Sequence, residues 1–324
     1  DVPKSGFIFA FLVLPTIIFM SSLMSVLYHL GLMQKIVELT AKVMMKVMGT
    51  SGAESLSAAA NIFVGQTEAP LVVKPFVDKM TKSELMALMT GGMATVAGGV
   101  LAAYVGMGVD AGHLLAASVM SAPAALVCAK LMVPETEQSQ TEGVVKIDLP
   151  KTHANLIDAA ASGASEGLGL ALNVGAMLLA FIALIAMFNG MLGWAGSLVG
   201  FPQLSFELIV GYLFAPFAFL MGIPWDDCTE VGVMLGKKIV VNEFVAYLDL
   251  QAAIKAGAIS ERAITITTYA LCGFANFSSI AIQLGGIGGL APDRRQDLAK
   301  LGMKSLIGGT LACFMTACIA GMML

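Results

Sequence analysis

Charged side chains are scarce in this 324-residue sequence, at 12% of all residues against about 25% in a typical soluble domain. Four long stretches hold no Asp, Glu, Lys or Arg at all: residues 5–34, 85–109, 167–206 and 263–292. A helix that crosses the hydrocarbon core of a bilayer needs about 20 apolar residues. One such stretch could be a buried core helix, but four in one chain exclude a soluble protein and predict an integral membrane protein.

Other absences argue against further classes of protein. The formal net charge is −4 and no basic stripe is present, which argues against nucleic acid as a partner. The five cysteines form no CxxC pair, so neither a disulfide framework nor a zinc site is expected. The HExxH, GxSxG and GxxxxGK[ST] motifs do not occur, and we do not expect an enzyme.

The apolar runs predict membrane spans at about 7–33, 85–108, 111–132, 168–198, 205–223, 263–284 and 303–324. The polar segment 134–154 predicts a solvated loop. This loop divides the chain into a first membrane half, residues 1–133, and a second, residues 155–324. Because the chain starts at Asp1 and enters an apolar run almost at once, we expect that N-terminal residues are missing.

Two regions, residues 50–80 and 226–250, do not fit simple spans. Each holds two apolar pieces that are too short to cross a bilayer, separated by polar residues. Short interrupted segments in corresponding positions of two halves are typical of a transporter binding site. We therefore predict an all-α membrane transporter with an inverted-repeat core and two re-entrant helical hairpins whose tips meet near the membrane midplane. The alternative is a pair of amphipathic surface segments.

Glu68 and Glu243 each lie in an otherwise apolar part of these two regions. An ionised side chain at membrane depth is costly, so such acids mark functional sites. Two alternatives stay open. Each acid could be solvated at a hairpin exposed to water, and Lys237 or Lys238 could form a structural ion pair with Glu243.

Amides and hydroxyls accompany these acids. Gln66 and Thr67 precede the first acid and suit a neutral polar heterocycle better than a bare ion. Asn242 precedes the second acid, and a carboxylate with an amide suits a sugar diol. Asn276 and Ser279 are three residues apart in an apolar span, so on a helix they share one face. Spacing alone favours a contact between helices for this pair, with a ligand as the alternative.

Three stretches of the sequence resemble the concentrative nucleoside transporter family and occur in the right order: NIFVGQTEAPLVVKPF, KKIVVNEFVAYL and CGFANFSSIAIQLGGIGGLAP. The resemblance covers essentially the whole chain, and its GQTEAP form is closest in style to the bacterial, sodium-coupled members. It implies a homotrimer in the bacterial inner membrane that imports nucleosides such as uridine by alternating access. In the family, two hairpins and two broken helices build the site. Compared with the family pattern, we expect that roughly the first two membrane helices are missing from this sequence.

The resemblance also implies the site residues. Those expected to contact the nucleoside are Gln66, Thr67, Glu68, Val100, Glu243, Phe274, Asn276 and Ser279. The first four match contacts to the base and the others match contacts to the ribose, which replaces the helix-contact interpretation of the last two. Those expected to bind Na⁺, mostly through backbone carbonyls, are Asn61, Val64, Thr95 and Val96. Proton coupling through Glu68 stays open, as does an ion channel or intramembrane enzyme that uses Glu68 and Glu243 as paired carboxylates.

Overall fold

The computed structural model describes residues 9–142 and 153–324, and all regular structure in these ranges is helical. The first half contains α1 (Phe9–His29), α2 (Leu32–Met48), α3 (Gly52–Asn61), α4 (Ala69–Val72), α5 (Lys74–Val77), α6 (Lys82–Ala94), α7 (Gly98–Gly106) and α8 (Ala111–Met132). The second half contains α9 (Leu156–Leu198), α10 (Phe206–Leu220), α11 (Trp225–Val240), α12 (Glu243–Ala256), α13 (Glu261–Leu271), α14 (Phe277–Leu290) and α15 (Arg295–Met323). The all-α prediction is confirmed.

Within the described ranges, four segments are long and apolar enough to cross a membrane: Lys82–Gly106, Ala111–Met132, Leu179–Leu198 and Pro292–Met323. Two bent pairs raise the number to six if each pair is one span. The bend is 78° between α1 and α2 and 119° between α10 and α11. Helix α9 leaves large apolar side chains exposed, with Leu179 77% and Trp194 68% accessible. Such a surface needs apolar surroundings, as the multi-span prediction requires.

The first predicted hairpin, residues 50–80, consists of α3 on one side and α4 and α5 on the other, with residues 62–68 at its tip. Every residue of α3 is buried, so the alternative of an amphipathic surface segment is wrong for this region. The second hairpin is longer than predicted. Helices α11 and α12 flank a break at Val241 and Asn242 and extend from Trp225 to Ala256.

Two of the predicted spans are broken rather than continuous. The span at 85–108 is divided into α6 and α7 by extended backbone at Thr95 and Ala97. The span at 263–284 is divided into α13 and α14 at residues 272–276, where Asn276 caps the second piece. The two broken helices that the resemblance implies are therefore present, and Ser279 lies in the first turn of the piece that Asn276 caps. Apolar residues on both sides of each break hide it from a hydropathy pattern.

The span predicted at 168–198 belongs to a helix of 43 residues that begins at Leu156. Its first turns extend N-terminal to the apolar run, and α1 packs against this helix. In the predicted loop at 134–154, residues 143–152 lie outside the described residues, as do residues 1–8, of which 7 and 8 belong to the first predicted span.

The same order of elements occurs twice: a hairpin, then a broken helix, then a long helix. Helices α3 to α8 form the first set and α11 to α15 form the second. Helix α15 packs against α6, α8 and α13, so it joins the two sets. The repeat predicted from two interrupted regions is present in this element order, and the two broken helices lie where the sets meet.

Candidate functional site

The breaks of the two broken helices contact each other. The backbone N–H of Phe274 donates a hydrogen bond to the backbone carbonyl of Thr95 over 3.2 Å. Gly273 makes this approach possible, since a Cβ at this position would lie 2.9 Å from the carbonyl oxygen of Ala94. Backbone groups at helix ends lack partners within their own helix. The two breaks therefore bring backbone groups that have left the helical pattern together at one position.

Glu243 lies in the first turn of α12, and both oxygens of its buried carboxylate accept hydrogen bonds. The hydroxyl of Tyr104 donates to Oε1 over 3.2 Å. The amide Nδ2 of Asn276 donates to Oε2 over 3.1 Å. The N-terminal end of a helix favours a negative charge. This acid is therefore held in place from three elements: α7, α12 and the break before α14.

Neither nearby lysine pairs with Glu243. Lys238 is buried and donates to the backbone carbonyl of Ala270 over 2.8 Å. Lys237 forms an ion pair with Asp249 over 2.9 Å. The alternative of a structural ion pair at Glu243 is therefore wrong. The two lysines instead connect α11 to its neighbouring helices.

Asn276 is the N-cap of α14 and uses its oxygen fully. Oδ1 accepts from the backbone N–H of Ser279 over 2.9 Å and from the hydroxyl of Ser278 over 2.7 Å. Because Nδ2 gives one hydrogen to Glu243, one N–H of this amide is left. Asn242 caps α12 in the same way, with its oxygen accepting from the backbone N–H of Val245.

Gln66 at the tip of the first hairpin joins the same network from the other side. Its Nε2 donates to the hydroxyl of Ser279 over 3.0 Å, and its Oε1 accepts from Nε2 of Gln283 over 3.1 Å. The N-terminus of α14 therefore contacts the tips of both hairpins. Four of the predicted residues, Gln66, Glu243, Asn276 and Ser279, lie in one buried hydrogen-bonded network.

Glu68 faces different surroundings from Glu243. It lines a cavity of about 360 Å³ together with Tyr28 of α1 and Glu166 of α9. Thr67 points along α14, where a Cβ on Gly286 would lie 3.2 Å from its methyl group. The structure therefore gives no support to paired carboxylates, on which the channel and enzyme alternatives depended.

Two of the residues expected to contact the nucleoside are apolar. Val100 of α7 is buried in a hydrophobic cluster, and the half-buried ring of Phe274 packs against the same cluster. Both side chains therefore border the region in which the polar network lies.

Two of the residues expected to bind a cation, Asn61 and Thr95, lie next to Gly91. Asn61 is 1% exposed, and neither its Oδ1 nor its Nδ2 has a hydrogen-bond partner among the described residues. A Cβ on Gly91 would lie 3.1 Å from that Nδ2. The hydroxyl of Thr95 donates to the carbonyl of Gly91 over 2.9 Å. Val64 is half-buried and Val96 is buried.

A capping box lies at the N-terminus of α3, which ends at Asn61, and another at the N-terminus of α6, which Thr95 follows. Ser51 and Glu54 cap each other at the start of α3, and Thr81 and Glu84 do so at the start of α6. The Ser51 hydroxyl also donates to Glu84 over 2.7 Å. On the other side, Lys130 of α8 forms an ion pair with buried Glu54. These contacts hold the first hairpin and the first broken helix in one fixed arrangement.

Glu135, in the loop after α8, adds a contact at this end of the molecule. Partial burial alone would raise its pKa, but three donors outweigh burial and lower the pKa. They are the Thr81 hydroxyl at 2.8 Å, the Glu137 backbone N–H at 3.2 Å and the Lys130 ammonium at 3.4 Å. The ionised form of this carboxyl is therefore the one that the fold stabilises.

Comparison with known proteins decides the family. Residues 113–321 match the family model described as "Na+ dependent nucleoside transporter C-terminus", and residues 10–111 match the model described as "Nucleoside recognition". The chain belongs to the concentrative nucleoside transporter family. It is 54% identical over 315 residues to "Uncharacterized transporter YutK" of Bacillus subtilis (strain 168), with 97% of this chain and 78% of that protein covered.

Another relative and a solved structure have about the same sequence identity to this chain. "Solute carrier family 28 member 3" of Rattus norvegicus is 50% identical over 330 residues, which is 97% of this chain and 47% of that protein. Among solved structures, CNTnw in an inward-facing substrate-bound state superimposes with a TM-score of 0.93 at 51% identity. The superposition covers 98% of this chain and 75% of CNTnw.

Two residues of this family member's network were not predicted from its sequence. Tyr104 is the one tyrosine and Gln283 the one glutamine in their charge-free stretches. A polar side chain isolated in an apolar run was the available signal, because buried polar groups need partners. Nothing in the sequence indicated which partners they have.

Proposed function

We propose that this chain is a symporter that carries nucleosides inward, by alternating access, together with Na⁺. Family membership supports the class of cargo. The observation that carries the site assignment is the buried network of Gln66, Ser279, Asn276 and Glu243, which lies where two hairpin tips meet a helix break. Polar groups inside a membrane are costly and typically serve a substrate or ion pathway.

The ribose is assigned to Glu243, Asn276 and Ser279, with Phe274 packed against the sugar. Each oxygen of Glu243 accepts one hydrogen bond from the protein, and a carboxylate oxygen has two acceptor sites. The carboxylate can therefore still accept from two hydroxyls, while Asn276 retains one N–H to donate. Vicinal hydroxyls of a ribose supply the complementary donors and acceptors.

The base is assigned to Gln66, Thr67, Glu68 and Val100. An amide, a hydroxyl and a carboxylate can read the polar edge of a base directly or through water. Val100 supplies an apolar wall for one face of the ring. Glu68 lines the cavity next to α1 and α9. Water and substrate that enter this cavity would therefore contact the carboxylate of Glu68 at the hairpin tip.

The cation is cargo, and Asn61, Val64, Thr95 and Val96 are assigned to it. The donor set fits Na⁺, because the Asn61 side-chain oxygen is buried without a partner among the described residues. Helix breaks also expose the backbone carbonyls that hard cations bind. A carbonyl at the break, that of Thr95, already bonds Phe274, so cation and substrate sites share one junction.

The proposal also includes the oligomeric state and the membrane location of the protein. We infer a homotrimer in the bacterial inner membrane, with lipid around the assembly and no nucleic acid partner. The largely exposed apolar surface of α9 supports this assignment, because such a surface requires contact with lipid or with another protomer.

Uptake of labelled uridine into proteoliposomes tests the proposal. An inward Na⁺ gradient is expected to drive saturable uptake, and replacing Na⁺ by K⁺ is expected to abolish it. Glu243→Gln should lose uptake, since the ribose loses a full acceptor. Glu207→Gln is the control, because Glu207 bonds Asn189 outside the network. Uptake driven by a pH gradient without Na⁺ would replace the cation by a proton, and current without saturable uptake would contradict the proposal.

A further inference from the structure

Gln283 of α14 is fully buried and uses both hydrogens of its side-chain amide. Nε2 donates to the backbone carbonyl of Met89 in α6 over 3.0 Å. The same nitrogen donates to Oε1 of Gln66 at the first hairpin tip over 3.1 Å. Gln283 belongs to the third stretch that carries the family resemblance, but the proposed site does not include it.

These contacts fix the direction in which each amide faces. A backbone carbonyl can only accept, so the nitrogen of Gln283 must face Met89. Since that nitrogen also faces the hairpin tip, the oxygen of Gln66 must turn toward it. The Gln66 nitrogen is then left to face Ser279, to which it donates over 3.0 Å. The backbone carbonyl of Met89 therefore fixes the orientation of both amides, that of Gln283 and that of Gln66.

The amide pair is tightly packed against Gly92 of α6. A Cβ on Gly92 would lie 2.8 Å from Nε2 of Gln283 and 2.9 Å from Cβ of Gln66. The oxygen of Gln283 has no hydrogen-bond partner among the described residues. An apolar side chain of similar size would avoid that unpaired group, so the two N–H donors are the reason for an amide at this position.

We propose that Gln283 determines nucleobase selectivity by fixing the orientation of the Gln66 amide. The inference rests on the proposed function, in which Gln66 contacts the base. Uracil presents a donor, N3–H, beside an acceptor, O4. Cytosine presents an acceptor, N3, beside a donor, the 4-amino group. An amide that cannot rotate matches one of these two orders, whereas an amide that is free to rotate matches both.

Competition against labelled uridine uptake in proteoliposomes tests this inference. The wild-type chain is expected to show different inhibition constants for uridine and cytidine. Gln283→Met, which keeps the length but removes both donors, is expected to bring their ratio about fivefold closer to one, as the loss of one hydrogen bond predicts. The ratio of the inhibition constants for uridine and 3′-deoxyuridine reports the ribose contacts and is expected to stay unchanged.

Gln251→Met is the matched control. Gln251 is also a buried amide whose nitrogen donates to a backbone carbonyl, that of Met107, over 2.9 Å. This contact lies outside the network around Gln66, so the uridine-to-cytidine ratio should remain at the wild-type value. In a Gln66→Ala background, Gln283→Met should no longer change the ratio, because the two residues act through one contact.

The inference is overturned if the wild-type ratio is already one, or if Gln283→Met leaves it unchanged. An equal change in the 3′-deoxyuridine ratio would also overturn it, since that result indicates general damage to the site. If Gln283→Met does not accumulate, Gln283→Asn gives the same test, because its amide is too short to reach both partners. Failure of the wild type to take up any nucleoside would instead contradict the proposed function.

Discussion

The backbone N–H of Phe274 donates to the backbone carbonyl of Thr95 over 3.2 Å, which joins the breaks of the two broken helices. One break carries residues assigned to the cation, and the other carries residues assigned to the ribose. A displacement at one break therefore reaches the other through a single hydrogen bond. This connection provides a physical route by which a bound cation can affect substrate binding.

Gly273→Ala tests the contact between the breaks. The added Cβ would lie 2.6 Å from Sγ of Cys313 and 2.9 Å from the carbonyls of Met93 and Ala94, so the break must move. We expect uridine uptake to fall at least tenfold and the Na⁺ concentration for half-maximal uptake to rise. Gly289→Ala is the control, because nothing lies within 4 Å of a Cβ there. Wild-type Na⁺ dependence in Gly273→Ala would contradict the connection.

Tyr104→Phe tests the support of Glu243. The change removes the hydroxyl that donates to Oε1 but keeps the ring, which stacks on Tyr247 with centroids 4.1 Å apart. A hydrogen bond to a charged group contributes about 1.5–3 kcal/mol, so we expect KM for uridine to rise roughly tenfold or more. Tyr247→Phe is the control. It removes a hydroxyl from the other ring of the same stacked pair, and that hydroxyl donates to the backbone carbonyl of Thr268 and not to Glu243. Equal effects of both changes would indicate that packing, and not the carboxylate, is affected.

Asn61→Ala tests the cation assignment through stability as well as transport. Binding of Na⁺ to the folded state raises the melting temperature, and we expect the wild type to melt higher in NaCl than in choline chloride. Because the Asn61 amide has no partner among the described residues, its removal should not lower the melting temperature in choline. The rise in NaCl should disappear.

Thr90→Val is the control for Asn61→Ala. Thr90 is also buried, and its hydroxyl has no partner within the described part of the chain. It neighbours Gly91 in α6 but is not assigned to the cation. Stabilisation by Na⁺ that persists in Asn61→Ala, or disappears in Thr90→Val, would show that the cation binds elsewhere.

Lys130→Met tests the ion pair between α8 and the first hairpin. The change leaves the buried carboxylate of Glu54 without its cation, and breaking a buried pair costs about 3–5 kcal/mol. We expect a clear fall in melting temperature, with partial recovery in the Lys130→Met, Glu54→Gln double variant. Lys42→Met breaks an exposed pair with Glu38 and should change stability by less than about 1 kcal/mol. Similar losses in both single variants would contradict a special role for the buried pair.

Glu135→Gln tests the pH dependence at the same end of the molecule. The fold lowers the pKa of Glu135, so its ionised form stabilises the native state above the ordinary pKa of a glutamate, about 4.3. That contribution is lost as the pH falls through the lower folded pKa. We expect Glu135→Gln to melt below the wild type at pH 7, with the difference closing under acid conditions. A difference that does not depend on pH would exclude the charge as its cause.

Much of the architecture was predictable because it depends on local composition. A long apolar stretch without charges is buried in lipid or in protein, and the membrane spans were predicted from such stretches. Two short apolar pieces around GQTE and around NEF cannot each cross a bilayer, which gave both hairpins. Gln66 and Glu243 were candidate site residues for the same reason, since polar groups stand out against an apolar background, whereas the site role of Asn276 was implied by the family resemblance.

The sequence by itself thus determined a membrane transporter with two hairpins, because hydrophobicity and segment length act locally. The resemblance implied two broken helices, but only the tertiary structure placed the breaks at Thr95 and before Asn276, because contacts across the fold replace the missing helical hydrogen bonds there. It also decided that Glu243 is held by Tyr104, 139 positions away, and that Gln66 is held by Gln283, 217 positions away. A buried polar group needs a partner, but only the packed fold determines which partner it has.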